Sequence, residues 1–344
     1  MSEYVYFPLL KTRDAELKAV SKFKSEDFDN VLPIYELTKS RKTKVAPDGD
    51  IHRKMAVIKE VQGDRPFILD VTSNDKYMNY QLEQLLDESN SFYEWQYFIN
   101  LYSELNIIPM IHVYDEDDFT QVSGFVKAMS ESKDYLAVRL PYYLDDYKKF
   151  LAPIYNSLSG NCKLYVILDG EQVAKGKSEV ITDGFIFACT ELEEFEKKIE
   201  AIITVCTSFP LSPAAEGNDD CGEFSIVEEE IFQNVSSEFS VKYGDYASIN
   251  IQQVEIKGGT FVPRIDICLE NEFMYKRYRR NAGSYILCAK KMIEDDRYEP
   301  LGVWADEEIN SAAKGEPSGI SPSFWIAVRM NYYMTSRTRL RMQE

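Results

Sequence analysis

Short apolar runs alternate with segments of helical spacing along most of the chain. Each run is rich in Val, Ile, Leu, Phe or Tyr and ends at a polar residue. The residues at which the runs end are Lys11, Glu36, Asp70, His112, Arg139, Asp169, Thr207 and Asp245. Near-continuous apolar runs are typical of parallel strands that are covered on both faces. The pattern therefore predicts an α/β fold with a parallel sheet.

The spacing of the runs favours one arrangement of that sheet. The run ends lie about 33 residues apart on average, close to the repeat of a (β/α)8 barrel. A glycine-rich phosphate loop, which a doubly wound sheet would place after its first strand, is absent. We therefore predict a (β/α)8 TIM-barrel-like domain over residues 1–250, with an α+β extension over 251–344 packing on it. Pro33 and Pro109 fall inside predicted strands and should lie at strand starts or bulges.

The chain carries an excess of acidic residues, with 39 Lys and Arg against 57 Asp and Glu and a net charge of −18. This excess argues against bulk binding to nucleic acid or to an anionic membrane. The N-terminus shows no signal peptide and no apolar run approaches membrane-spanning length, so we expect a cytoplasmic protein. The six cysteines have no metal-ligand spacing, and there are only two histidines. We therefore expect no structural zinc site.

The ends of the predicted strands carry ionisable groups of both signs. In a parallel barrel these positions converge on the face where active sites are built. The predicted ligand-binding set is Lys11, Arg13, Glu36, Asp70, His112, Arg139, Asp169, Tyr243, Asp245 and Tyr246. Two arrangements are open: a pocket that binds a ligand, or a closed ring of salt bridges. Arg139 is central to both, because a buried guanidinium needs either a carboxylate or an anionic ligand.

Some of these residues are also candidates for catalysis, namely His112, Asp169, Asp70 and Glu36. A carboxylate as base with His112 as acid would suit a hydrolase or a lyase. Glu36, Asp70, Asp169 and Asp245 resemble an oxygen-ligand set for Mg²⁺. Lys11, Arg13 and Arg139 would compete with such a cation, so no cofactor or metal is expected.

A basic and aromatic cluster lies beyond the predicted barrel, and its members are Arg277, Tyr278, Arg279 and Arg280. Basic residues interleaved with tyrosines can bind phosphates and stack on bases. The alternative is that they pair with acidic residues near Asp219 and Asp220, and we favour that alternative.

Several segments together resemble the beta-protein family of phage and bacterial proteins. The resemblance rests on residues 6–11, 16–19 and 32–36, on Tyr243-Gly244-Asp245-Tyr246, and on residues 324–328. Residues 331–334 differ from the family pattern, which has a histidine-containing stretch there. The resemblance implies a shared fold and a context of mobile elements and antiviral defence, without an assigned reaction.

Three functions follow as hypotheses. The first is a recognition or effector module in phage–host conflict that binds an anionic small molecule, nucleotide or peptide at the barrel mouth. The second is a hydrolase or lyase that uses the strand-end carboxylates with His112. The third is a non-catalytic partner in a protein complex, such as a defence complex.

Overall fold

The structure, a computed structural model, describes residues 4–47, 49–114, 117–252 and 261–343. Eight parallel strands close into a barrel, in which each strand pairs with the next and the last pairs with the first. The barrel strands are β1 (Tyr6–Lys11), β2 (Ile34–Leu37), β3 (Phe67–Val71), β4 (Ile107–Ile111), β5 (Tyr135–Pro141), β6 (Lys163–Gln172), β7 (Ile199–Thr207) and β9 (Val241–Asp245). The predicted (β/α)8-like barrel is confirmed.

Helices cover the outside of the barrel between successive strands. They are α1 (Asp14–Val20), α2 (His52–Gln62), α3 (Tyr80–Leu85), α4 (Ser89–Leu101), α5 (Thr120–Ser130), α6 (Tyr147–Ser157), α7 (Ser178–Leu192) and α8 (Val227–Ser236). Local sequence fixes several helix starts. Asp146, for example, accepts a hydrogen bond from the Lys149 amide at 2.9 Å and so caps the first turn of α6.

Side chains of the barrel strands alternate between two apolar clusters. The smaller cluster fills the barrel interior and includes Phe7, Leu9, Ile34, Ile68, Met110, Ala137, Ile167 and Val205. The larger cluster joins the outer face of the strands to the helices. Because successive residues of a strand point to opposite faces, the parity of each strand-end residue decides which side it faces.

The two prolines lie in different places. Pro33 immediately precedes β2, whereas Pro109 lies inside β4 and is paired with Leu69 of β3. Pairing of β4 with β5 is limited to Met110 and Ile111. The expectation of a strand start or bulge therefore holds for Pro33 and not for Pro109. Pro109 has no amide hydrogen to donate, and the pairing of β4 with β5 begins at the next residue, Met110.

A second sheet consists of three antiparallel strands, β8 (Cys221–Ser225), β10 (Arg264–Cys268) and β11 (Glu272–Arg277). Their order in the sheet is β10-β11-β8. The sheet therefore takes strands from both sides of the predicted boundary at residue 250. Three more helices follow, namely α9 (Ser284–Ile293), α10 (Trp304–Ala313) and α11 (Pro322–Arg341).

Helix α11 packs between the extension and the barrel. It contacts α1, β1 and β10, and Arg337, fully buried, pairs with Glu229 of α8 at 3.0 Å. Within the described ranges, no helix is both long and apolar enough to cross a membrane.

Candidate functional site

A layer of polar side chains follows the apolar interior at the carboxyl end of the barrel. Its members share the inward parity of the interior cluster, and all but Arg139 are buried. They are Lys11, Glu36, Asp70, His112, Arg139, Asp169 and Tyr246, and we call them the mouth network. The structure therefore brings together seven of the ten residues that the strand ends predict.

Arg139 is the centre of the mouth network. Its Nη1 lies 2.9 Å from Glu36 Oε2 and 3.2 Å from Asp70 Oδ2, and its Nε lies 3.8 Å from Asp169 Oδ2. Burial lowers the pKa of the guanidinium, but the three carboxylates outweigh it and hold that pKa well above its usual value. Arg139 is therefore a fixed cation, and it occupies the position that a metal ion would need between these carboxylates.

Glu36 pairs with two cations. Lys11 Nζ donates to Glu36 Oε1 at 2.8 Å, opposite the contact with Arg139, and lies 5.1 Å from the centroid of the Tyr77 ring. Burial raises the pKa of Glu36, but Lys11 and Arg139 together lower it to about 2. The carboxylate is therefore ionised, and both of its oxygens are engaged.

Asp70 and His112 are less completely satisfied. Asp70 Oδ1 accepts a hydrogen bond from the Val71 amide at 2.8 Å and lies 3.9 Å from His112 Nδ1. Burial raises the pKa of Asp70 to about 6, against the opposing effect of Arg139. Burial and Arg139 lower the pKa of His112 to about 3, so its imidazole is neutral at neutral pH.

Aromatic rings surround His112 and account for its burial. The ring of Trp95 lies 5.5 Å away between centroids, Phe92 lies at 6.3 Å, and Tyr114 stacks at 6.3 Å with an interplanar angle of 13°. Trp95 is held in turn by a 3.0 Å hydrogen bond to the Met110 carbonyl oxygen. These rings exclude water from the imidazole and favour its neutral form.

Asp169 is held by hydrogen bonds from two sides. The Tyr246 hydroxyl donates to Asp169 at 2.7 and 2.8 Å to its two oxygens, and the Glu171 amide donates to Oδ1 at 2.8 Å. Glu171 has a positive φ of 54° and follows a register shift in the pairing of β6 with β7. This irregularity turns Glu171 toward the same side as Asp169, in the manner of bulges near functional sites.

A cavity of about 220 Å³ opens between the ends of β3, β4, β5 and β6. The polar and aromatic residues that line it are Asp70, Ser73, His112, Tyr114, Arg139, Tyr143, Asp169 and Glu171. Asp70 Oδ2 and His112 Nε2 are buried atoms of this lining, and neither has a hydrogen-bond partner within the part of the chain that the structure describes. We call this space the mouth cavity.

Three predicted residues lie outside the mouth network. Tyr243 and Asp245 have the opposite parity and face the helices, where Asp245 accepts hydrogen bonds from Tyr6 at 2.7 Å and from Tyr333 at 2.8 Å. Arg13 donates to the Tyr77 hydroxyl at 3.0 Å and does not line the mouth cavity. Asp245 therefore stands apart from Glu36, Asp70 and Asp169. Within the described ranges, no group of three or more His, Cys, Asp or Glu side chains is placed to hold a metal ion.

The basic and aromatic cluster lies on the second sheet, away from the mouth network. Arg277 and Arg279 both pair with Asp219, and the Tyr278 amide donates to the Pro263 carbonyl. Arg280 lies in the short turn that leads to α9. The pairing with the acidic loop is the alternative that we favoured from the sequence.

Several residues that line the mouth cavity or surround His112 were not predicted. Phe92 and Trp95, whose rings pack around His112, come from α4, and no sequence signal separates them from ordinary core residues of an amphipathic helix. Tyr114 could have been found, because it lies two positions beyond His112 and therefore shares its parity. Glu171 follows a register shift after Asp169, so alternation along the strand does not predict its side.

Comparison with known proteins gives the chain its family. A family model described as Beta protein matches residues 6–339. Protein beta of Enterobacteria phage P4 is 30% identical over 347 residues, which cover 98% of this chain and 94% of the phage protein. The crystal structure of the Bacillus cereus spore cortex-lytic enzyme SleL matches with a TM-score of 0.35 and 9% identity, over 96% of this chain and 75% of that chain. That likeness is too low to carry a functional statement. The match of the family model over nearly the whole length, together with the phage relative, shows that this chain belongs to the Beta protein family.

Proposed function

We propose that the mouth cavity binds a small polar ligand through Asp70 and His112. The observation that carries this proposal is the buried His112 Nε2 atom, which has no hydrogen-bond partner among the described residues although His112 lines the mouth cavity. Asp70 Oδ2, in the same lining, has the ion contact with Arg139 at 3.2 Å and no hydrogen bond from the described residues. Leaving a buried polar atom unpaired costs about 1–3 kcal/mol. A closed structural ring would satisfy both atoms, whereas a ligand that bonds to both would remove the cost.

The charges of the lining select the class of ligand. The mouth cavity is lined by three carboxyl groups, those of Asp70, Asp169 and Glu171, and by one guanidinium. That guanidinium is already paired, and Lys11 is paired with Glu36. We therefore propose an uncharged or cationic ligand in place of the anion expected from the sequence. The volume is below the roughly 300–1,000 Å³ of pockets for drug-sized molecules, which points to a small molecule.

Acid–base chemistry is the second candidate function. It is favoured by the two neighbouring groups whose pKa values are shifted apart, since Asp70 titrates at about 6 and His112 at about 3. Above about pH 6 the Asp70 carboxylate is ionised and accepts the proton, as expected from the sequence. His112 is neutral there, so it positions the substrate by hydrogen bonding in place of the acid role expected from the sequence. A hydrolase or a lyase would gain about 10² to 10⁴ in rate from such a pair.

The biological setting remains part of the proposal. The relationship to a phage protein supports an effector or recognition role in phage–host conflict. In that setting the ligand would act as a signal or as a substrate. A protein partner would bind the ligand-bound form of the protein.

The test is thermal unfolding in the presence of three matched groups of compounds of about ten non-hydrogen atoms. The groups are uncharged polyols and amides, ammonium and guanidinium compounds, and carboxylates and phosphates. We expect stabilisation by members of the first two groups, and its loss in Asp70→Asn and His112→Gln. Glu294→Gln, at an exposed position outside the mouth cavity, is the control. Stabilisation by none of the compounds, or equal stabilisation of the two cavity variants, would overturn the proposal.

A further inference from the structure

A second concave site, away from the mouth network, is lined mainly by basic side chains. A pocket of about 470 Å³ lies between α1, α2 and the loop that follows β2. The cationic residues of its lining are Lys18, Arg41, Arg53 and Lys54, the hydroxyl residues are Ser21, Ser40 and Thr43, and the acidic residue is Asp14. In a chain with a net charge of −18, four cations around one acid are a local reversal of sign.

The loop after β2 supplies the densest positive charge. Four of the six residues from 39 to 44 are basic, and none of those six is acidic. Arg41, Lys42 and Lys44 are exposed, and the ion pairs within the described ranges include none of the loop's four basic side chains. Like charges held this close repel each other, and an anion bound among them would relieve that repulsion.

The loop is held in place at several points. The Lys39 amide donates to the Tyr77 carbonyl at 2.8 Å, and Ser40 Oγ accepts a hydrogen bond from the Asp50 amide. Thr43 and Ala46 exchange backbone hydrogen bonds of 2.9 and 3.2 Å. Arg41 is therefore presented from an anchored loop, which reduces the entropy lost when a ligand binds.

The two cations that α2 contributes to the pocket are weakly neutralised. Lys54 is 13% exposed, and its acidic partner at 3.2 Å is Asp14, which is 88% exposed. Arg53 Nε lies 3.7 Å from Asp50 Oδ2, at long range for an ion pair. Ion pairs with a solvent-exposed partner contribute little to stability. A multiply charged anion could therefore replace the carboxylates, or bind beside them, at a small cost in free energy.

We propose that this pocket binds the phosphate groups of a small phosphorylated molecule, with Arg41, Arg53 and Lys54 as the principal contacts. Guanidinium groups suit phosphate because they bond to two oxygens at once, and an ammonium group adds a point charge. Thr43 lies in the same lining, and its hydroxyl oxygen accepts from the Ala46 amide at 3.1 Å, which leaves the hydroxyl hydrogen as a neutral donor. The pocket lies beside the loop that leaves the carboxyl end of β2, on the same end of the barrel as the mouth network.

The probes are inorganic pyrophosphate and tripolyphosphate, titrated calorimetrically into the full chain at low salt. We expect binding of both and about tenfold loss of affinity in Arg41→Ala and in Arg53→Ala, since a charged hydrogen bond is lost in each. Both positions are exposed, so these variants should fold. Lys44→Ala removes the same charge from the same loop outside the pocket lining, and it should change affinity less than twofold.

Three outcomes would overturn this proposal. One is an absence of pyrophosphate and tripolyphosphate binding. Another is an equal loss in Lys44→Ala and Arg41→Ala, which would show diffuse attraction to the loop. The third is binding of a short single-stranded oligonucleotide with no binding of pyrophosphate. Asp70→Asn should leave the pyrophosphate affinity unchanged, which separates this site from the mouth cavity.

Discussion

Arg139 Nη1 lies 2.9 Å from Glu36 Oε2 across the mouth of the barrel, although the two residues are 103 positions apart. The contact joins β5 to β2 through side chains alone, because these strands are not neighbours. It fixes the guanidinium at the centre of the mouth network and leaves Asp70 and His112 on the open side. The ion pairs of Arg139 therefore form part of the wall of the mouth cavity.

Removing the central cation should be costly. Arg139→Leu leaves Asp70 and Asp169 buried without their positive partner and leaves Glu36 with Lys11 alone. Breaking a buried ion pair on one side costs about 3–5 kcal/mol, and we expect a loss of that size in urea unfolding. Lys59→Ala, which removes an exposed pair with Glu104, should cost less than about 1 kcal/mol. Similar losses in both variants would contradict the central role of Arg139.

The neutral state of His112 predicts a pH dependence of stability. Between about pH 3 and pH 6.5 the unfolded chain binds a proton at this residue and the folded chain does not. The contribution of His112 is therefore fully present above about pH 6.5 and is lost as the pH falls. The contribution of Asp70 to the pH dependence has the opposite sign. Its pKa is raised to about 6 in the folded chain, so the folded chain keeps this proton to a higher pH than the unfolded chain does. The two effects offset each other in the wild-type protein between about pH 4 and pH 6.

Substitution of His112 separates these effects. In His112→Gln the opposing contribution of His112 is removed, whereas those of Asp70 and of Glu228, whose pKa burial raises to about 7, remain. Stability of the variant should therefore fall as the pH rises from about 4 to 7. The free energy of unfolding of the wild type minus that of the variant should increase with pH, by up to about 1.4 kcal/mol per pH unit. Urea unfolding at half-unit steps from pH 4.5 to 7.5 measures this difference. A difference that is constant with pH would show that His112 titrates normally in the folded protein.

The tyrosine that supports Asp169 has a matched control in the same barrel interior. Tyr246→Phe removes the hydroxyl that donates to Asp169 and keeps the ring. A hydrogen bond to a charged group contributes about 1.5–3 kcal/mol, and we expect a loss of that size. The Tyr165 hydroxyl makes no hydrogen bond within the described ranges, so Tyr165→Phe should change stability by less than about 0.5 kcal/mol. An equal effect of the two substitutions would show that the contact with Asp169 is unimportant.

Substitutions on the outer face of the last barrel strand should change stability without changing ligand affinity. Tyr333→Phe removes a donor to Asp245 on the outer face, where α11 meets the barrel. We expect a loss of about 1.5–3 kcal/mol in unfolding experiments and an unchanged affinity of the mouth cavity for its ligand. A weakened ligand affinity in this variant would place Asp245 in the binding site, as the sequence predicted.

The barrel and most of its mouth network could be predicted because strand ends converge in a parallel barrel. Lys11, Glu36, Asp70, Arg139 and Asp169 each continue the inward phase of the apolar residues before them. Asp245 could not be assigned in the same way, since the apolar pattern of its strand is weak. Its partner in β1 is Pro8, which lies between the inward-facing Phe7 and Leu9, and this register turns Asp245 outward.

The surroundings of the site depended on contacts between distant segments. The rings from α4 that bury His112 belong to an ordinary amphipathic pattern, so their part in lowering the pKa of His112 is visible only after folding. The basic pocket did carry a sequence signal in residues 39–44.

The most direct test of the account is ¹⁵N NMR of the two histidine side chains during titration with the compounds that stabilise the protein. His52 is exposed on α2 and contacts Tyr102, so it serves as the internal reference. We predict that His112 is neutral at pH 6 and that its Nε2 resonance moves on addition of ligand, while both resonances of His52 stay in place. A His112 that is protonated at pH 6, or whose Nε2 resonance is unchanged at saturating ligand, would contradict the proposed binding site.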